Sequence, residues 1–172
     1  MIYFDGLLLR ANRAEKSSST IFRAFVSGIP PLVKADIDFT VNTELLNHIT
    51  RTAYLPTFFN NISDRFTIIQ MLPEVSSHYI DIILNDDYYE AYVIDAPYGF
   101  HNCYIGDKSL IDRLVEKLNA GKIVFILTKI AIVYEIKVRE LCQHGAIINT
   151  EITRTALVAK LGFLLANVGL LV

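Results

Sequence analysis

From Leu161 to Val172 the chain carries no charged residue, and this run constrains the fold more than any other feature. Read as one helix over 152–172, ITRTALVAKLGFLLANVGLLV sets Thr155, Ala159, Gly162, Ala166 and Gly169 on a single ridge. Leu157, Leu161, Leu164, Leu165 and Val168 cover much of the remaining surface. A helix that is apolar nearly all round is buried on most of its sides. A ridge of small residues lets a second backbone approach closely. Gly162 and Gly169 each weaken an isolated helix by about 1 kcal/mol relative to Ala, so the segment needs packing to hold it. Its neighbour is the protein's own core, another subunit or a membrane. The uncharged run is short of the ~20 residues a span requires, and Lys160 would have to snorkel. The expectation is therefore an interface helix, with the five ridge residues as the contact surface.

Composition narrows the rest. Apolar residues make up 52% of the 172 and charged residues 20%, which excludes a disordered chain. Sixteen Lys and Arg against eighteen Asp and Glu leave a net charge of −2, which offers no excess to neutralise phosphates, so no nucleic-acid partner is expected. The length suits a single domain over 1–172. Two cysteines do not make a disulfide framework, and Cys103 and Cys142 read as reduced thiols. MIYFDGLLLRANR has no basic region ahead of its apolar residues and is broken by Asp5, so it is not read as a signal peptide. These points lead to a cytoplasmic expectation, or to a particle assembled there.

Along the chain, Ile2–Leu9 reads as a first strand and residues 10–19 (RANRAEKSSS) as a flexible polar loop. Residues 33–42 alternate Val33, Ala35, Ile37, Phe39 and Val41 with polar neighbours, the period of a half-buried strand. Asn42 or Thr43 then caps a helix through Tyr54. Residues 65–72 read as a strand. HYIDIIL (78–84) and YYEAYVID (88–95), either side of Asn85-Asp86-Asp87, read as a β-hairpin. Asp107 or Ser109 caps a helix whose stripe is Leu110, Ile111, Leu114, Val115 and Leu118. Strands follow at 122–128 and 130–138. Clustered strands with two to three helices predict an α+β fold, an antiparallel or mixed sheet ending in the apolar helix over 152–172.

Three constellations carry chemistry. His101-x-Cys103 and Cys142-x-His144 are mirrored pairs; on strands, each would show two ligands on one face, together a Cys₂His₂ set suited to zinc. The same residues offer a Cys–His nucleophilic pair with Asp107 as orienter. Glu135-x-Lys137 in IAIVYEIKV resembles the strand on which metal-dependent nucleases hold Mg²⁺, with Asp95 or Asp107 as the further acid. Period-two alternation alone explains that strand equally well. Acidic residues and Tyr79, Tyr88, Tyr89 and Tyr92 around 79–95 suit either a solvated hairpin or a protein contact. Phosphate-loop, dinucleotide and serine-hydrolase signatures do not occur. The function expected is that of a non-enzymatic structural or interaction subunit of a larger assembly, for instance a virus or phage particle. Its partners would be protein subunits, in a homo- or hetero-oligomer, and it would need no cofactor and no metal. The alternatives are a nuclease-like enzyme using Asp107, Glu135 and Lys137, or a peripheral or tail-anchored membrane protein.

Overall fold

In the computed structural model, residues 1–46, 58–97, 104–128, 136–149 and 151–167 are described. They divide into two compact units, Met1–Asn60 with Glu151–Leu157, and Asn61–Thr150 with Val158–Val172.

The first unit is built from short strands closed by local turns. β1 (Ile2–Phe4) and β2 (Leu7–Leu9) pair antiparallel about Asp5-Gly6. Both turn residues have positive φ, 48° and 72°, the backbone that a tight two-residue hairpin demands and that Asp-Gly supplies. A Cβ on Gly6 would also lie 2.8 Å from the Ala35 carbonyl oxygen, so glycine is required there twice over. The predicted single strand over 2–9 is therefore a hairpin. Residues 10–19 are not wholly a loop: a 3-10 turn at Ala11–Arg13 leads into β3 (Ala14–Lys16), which pairs with β4 (Phe25–Ser27). The strand expected over 33–42 folds back on itself as β5 (Val33–Ala35) and β6 (Phe39–Val41), leaving Ile37 at the bend almost fully exposed. β1, β2, β5 and β6 form one antiparallel sheet in that order. Of the helix expected from Thr43 to Tyr54, Thr43–Leu45 is a 3-10 turn and residues 47–57 lie outside those described.

The second unit overturns the predicted α+β class. β7 (Phe66–Gln70), α1 (Ser77–Asn85), β8 (Ala91–Asp95), a small hairpin of β9 (Tyr104–Ile105) and β10 (Lys108–Ser109), α2 (Leu110–Asn119), β11 (Ile123–Leu127), α3 (Ile136–Gln143) and β12 (Ile147–Asn149) follow one another, before α4 (Arg154–Asn167). The sheet runs β12-β11-β8-β7, and each of its three pairings is parallel. Strand, helix, strand in repeated succession about a parallel sheet is an α/β arrangement. The hairpin expected over 78–95 does not exist. Residues 78–84 are helical and bury Ile80, Ile83 and Leu84, spaced i, i+3, i+4, while Asn85–Asp87 only ends the helix. Only the second arm is a strand, β8. It is buried at all five positions, as a central parallel strand covered on both faces must be.

The core gathers α1, α2 and α3 on the sheet: Ile80, Leu84, Leu110, Leu114, Val138 and Leu141 meet Ile69, Tyr92, Ile94, Val124 and Ile126. Arg113 on α2 donates to Asp81 (2.9 Å) and Asn85 (2.6 Å) on α1, which fixes the two crossover helices to each other. Of the two predicted caps for α2, the structure uses Ser109. Its Oγ accepts from the Asp112 amide (3.2 Å), and the Asp112 carboxylate accepts from the Ser109 amide (3.0 Å). The C-terminal helix forms as α4, with residues 168–172 outside those described.

Two outcomes follow. Ser109→Ala removes one half of the reciprocal cap and should destabilise the protein by about 1 kcal/mol in denaturant titration. Gly162 lies against the chain's own segment 62–66: a Cβ there would stand 2.7 Å from Ile62 Cγ2 and 3.1 Å from the Ser63 carbonyl oxygen, while the Ser63 amide donates to the Gly162 carbonyl at 2.9 Å. Gly162→Leu should therefore destabilise by about 1–3 kcal/mol and lower the melting temperature by several degrees in a thermal melt.

Candidate functional site

A cavity of about 490 Å³ opens in the first unit, within the size range of small-molecule sites. Its walls are two opposed kinds of surface. Phe4, Phe22 and Phe25 supply an aromatic side, Phe25 edge-on to Phe4 at 5.2 Å and Phe22 tilted against it at 5.6 Å. Lys16, Ser18, Ser19 and Thr20 supply a cationic and hydroxyl-rich side. Local geometry fixes that second side. Lys16 is the last residue of β3, and immediately beyond it the Ser17 amide and hydroxyl both donate to the Ala24 carbonyl, at 2.8 and 3.2 Å. The Ser18 hydroxyl accepts from the amides of Thr20 (3.2 Å) and Ile21 (3.3 Å) and lies 3.3 Å from the Thr20 hydroxyl. The loop is thus held by its own hydroxyl groups, a common device of Ser-rich turns. Arg23 and Asp5 form an ion pair at 2.8 Å nearby in sequence. A lysine ammonium beside several hydroxyls suits binding of a carboxylate or activation of an oxygen nucleophile.

In the second unit, the carboxyl ends of the parallel strands form a polar row. Gln70, Asp95 and Asn149 stand in register at the ends of β7, β8 and β12, and Thr128 follows β11. Asp95 and Thr128 are buried, 8% and 2% exposed. Ligands of open α/β sheets bind outside this edge. The segments that follow β8 and β11 (98–103 and 129–135) are not among the described residues.

The residues singled out in the sequence do not assemble as expected. His101 and Cys103 lie outside the described residues. Cys142 sits in the last turn of α3 and His144 just beyond it, both exposed, so they are not neighbours on a strand face. Partial desolvation pushes the Cys142 thiol up, which favours its protonated form. Among the described residues no group of three His, Cys, Asp or Glu side chains could hold a metal ion. Asp107 is exposed in the β9–β10 turn. Lys137 lies in α3 and Glu135 is not described, so the expected strand over 130–138 is helical where it is seen, and the nuclease-like spacing of a strand is lost. Exposure changes along the α4 ridge. Thr155 and Ala159 are exposed, Ala166 is half-buried, Gly162 is buried against residues 62–66, and Gly169 is not described.

Sequence reasoning passed over Lys16 and the hydroxyls after it, treating their polarity as that of a solvated loop. The signal was the density of hydroxyl residues directly after a basic one, in a stretch flanked by Phe4, Phe22 and Phe25. Among the described residues no helix is long and apolar enough to cross a membrane.

No known protein family matches the sequence, and no curated protein matches it. Solved structures do. L-asparaginase I from Vibrio cholerae is similar over 95% of this chain at 26% identity, with a TM-score of 0.64. The thermostable L-asparaginase from Thermococcus kodakarensis is similar over 95% at 18% identity, with a TM-score of 0.67. The chain spans 49% of each of those chains, about half their length. These neighbours are enzymes. They overturn the expected non-enzymatic subunit of a virus-like assembly, and they lend nothing to the nuclease or membrane-anchor alternatives.

Proposed function

We propose that this chain forms part of an L-asparaginase-type amide hydrolase. The observation that carries the reading is the 26% identity to Vibrio cholerae L-asparaginase I, sustained over 95% of the chain with the same fold. Hydrolysis of a side-chain amide needs a nucleophile at the carbonyl carbon, a group to accept the nucleophile's proton, and a donor for the departing ammonia. The cavity of the first unit holds residue types that can do this work. Lys16 can pair with a substrate carboxylate or, as the free amine, accept a hydroxyl proton; Ser18, Ser19 and Thr20 bring the hydroxyls. Phe4, Phe22 and Phe25 bring aromatic surface to the same cavity.

The test is ammonia release from L-asparagine by the purified protein, together with any polypeptide that co-purifies with it. Activity is expected, and Lys16→Met should lower kcat/KM by about 100-fold, the lower bound for loss of a proton-transferring group. Binding of L-aspartate should shift the amide NMR signals of residues 16–20. A protein that releases no ammonia and binds no L-aspartate is not an asparaginase-type hydrolase.

A further inference from the structure

Three hydroxyl side chains line the cavity of the first unit, and their hydrogen bonds give them different capacities. A hydroxyl has one proton to donate and two lone pairs that accept. The Ser18 oxygen accepts from the amides of Thr20 at 3.2 Å and Ile21 at 3.3 Å, which occupies both lone pairs. It also lies 3.3 Å from the Thr20 hydroxyl. With both lone pairs taken, Ser18 is the donor in that contact and Thr20 the acceptor. Ser18 is therefore fully committed within the loop and has nothing left for a ligand. Thr20 keeps its own proton. Accepting a bond from Ser18 draws electron density off the Thr20 oxygen, which strengthens its O–H as a donor and weakens the oxygen as a nucleophile. The β-branched side chain of Thr20 is stiff at χ1, so the place of that oxygen is held. Ser19 takes no part in this series of bonds. Among the described residues that line the cavity, Lys16 carries the one charge. A cation with a polarised donor, and no acid beside them, suits a carboxylate.

We propose that Thr20 binds the carboxylate of the amino-acid substrate, its hydroxyl donating to a carboxylate oxygen, and that Ser18 is the positioning residue that aims it. The proposal rests on the asparaginase-type reading, which supplies an amino acid with one carboxylate beside the amide that is cleaved. The carboxylate keeps its charge throughout the reaction, so this bond is the same in the bound substrate and in the transition state. Its loss raises KM and leaves kcat alone.

The experiment measures ammonia release from L-asparagine, and titration with L-aspartate followed by amide NMR, on the purified protein with any polypeptide that co-purifies. Thr20→Val keeps the shape of the side chain and removes the hydroxyl. It should raise KM and the Kd for L-aspartate about 10-fold, the lower bound for losing a hydrogen bond to a charged group, with kcat unchanged. Thr20→Ser restores the hydroxyl and should return both constants towards those of the unaltered protein. Ser18→Ala should raise KM in the same direction, and adding it to Thr20→Val should raise KM no further, because the two act as one unit. Ser19→Ala should change neither constant. Unchanged KM and affinity in Thr20→Val, a loss that Thr20→Ser does not restore, a loss confined to kcat, or an equal loss in Ser19→Ala overturns the proposal. A protein that binds L-aspartate in this Thr20-dependent way and releases no ammonia upholds the carboxylate site and removes the hydrolase reading. One that releases ammonia equally well with Thr20→Val upholds the hydrolase reading and removes the carboxylate site.

Discussion

The burial of β8 organises the second unit. Its five residues, Ala91 to Asp95, lie between β7 and β11 and are closed off on both faces. A strand in that position cannot satisfy its amides with water, so hydrogen-bonded partners on both sides become obligatory, and here both are parallel. Parallel partners in turn require crossovers, which α1 and α2 provide. Their buried stripes meet the sheet through Ile80, Leu84, Leu110 and Leu114. Tyr92, fully buried in this strand, shows how dense the packing is: among the described residues its hydroxyl finds no hydrogen-bond partner, and burial, with the nearby charges of Asp87 and Asp86 adding to it, pushes its pKa up. The ring stays where the layer needs volume, at the expense of its polar end.

The same sheet brings Asp95 and Thr128 to its carboxyl edge, while the lysine- and hydroxyl-lined cavity belongs to the other unit. Polar chemistry thus sits at two places, each held by rigid local structure. At the first, strand ends in register set the spacing. At the second, a loop is pinned by serine hydroxyls to backbone amides and a carbonyl. The likeness to the solved L-asparaginase structures extends over 95% of this chain, and so through both units.

How much was legible in the sequence depended on whether one local pattern had a rival. The stripe of α2 had none; its cap was left between Asp107 and Ser109, and the reciprocal bond with Asp112 decides for Ser109. Residues 66–70 and 123–127 were equally plain. HYIDIIL had a rival reading: its Tyr and Ile favour strands by type, while Ile80, Ile83 and Leu84 follow the helical period, and the period decided the outcome. Asp5-Gly6 was a hairpin signal hidden inside an apolar run. The alternation over 33–42 was real, but Asp36 and Asp38 mark the place where the chain reverses. The cavity at Lys16 was the hardest to see, because its parts come from β1, β3 and β4, and only their pairing in space joins them.

The two units differ in how far apart their paired residues lie along the chain. In the first unit β1–β2, β3–β4 and β5–β6 close across turns or short loops, while β2 meets β5 only after β3 and β4; β7, β8, β11 and β12 meet only after whole helices intervene. Local closure is fast and distant parallel pairing is slow. The locally closed strand pairs therefore form ahead of the parallel sheet, and they leave Tyr3, Phe39 and Val41 exposed while the chain is still incomplete. Until the rest of the chain has folded, those exposed side chains are a liability to aggregation, and Lys34, in the middle of the same sheet, lies on its opposite face.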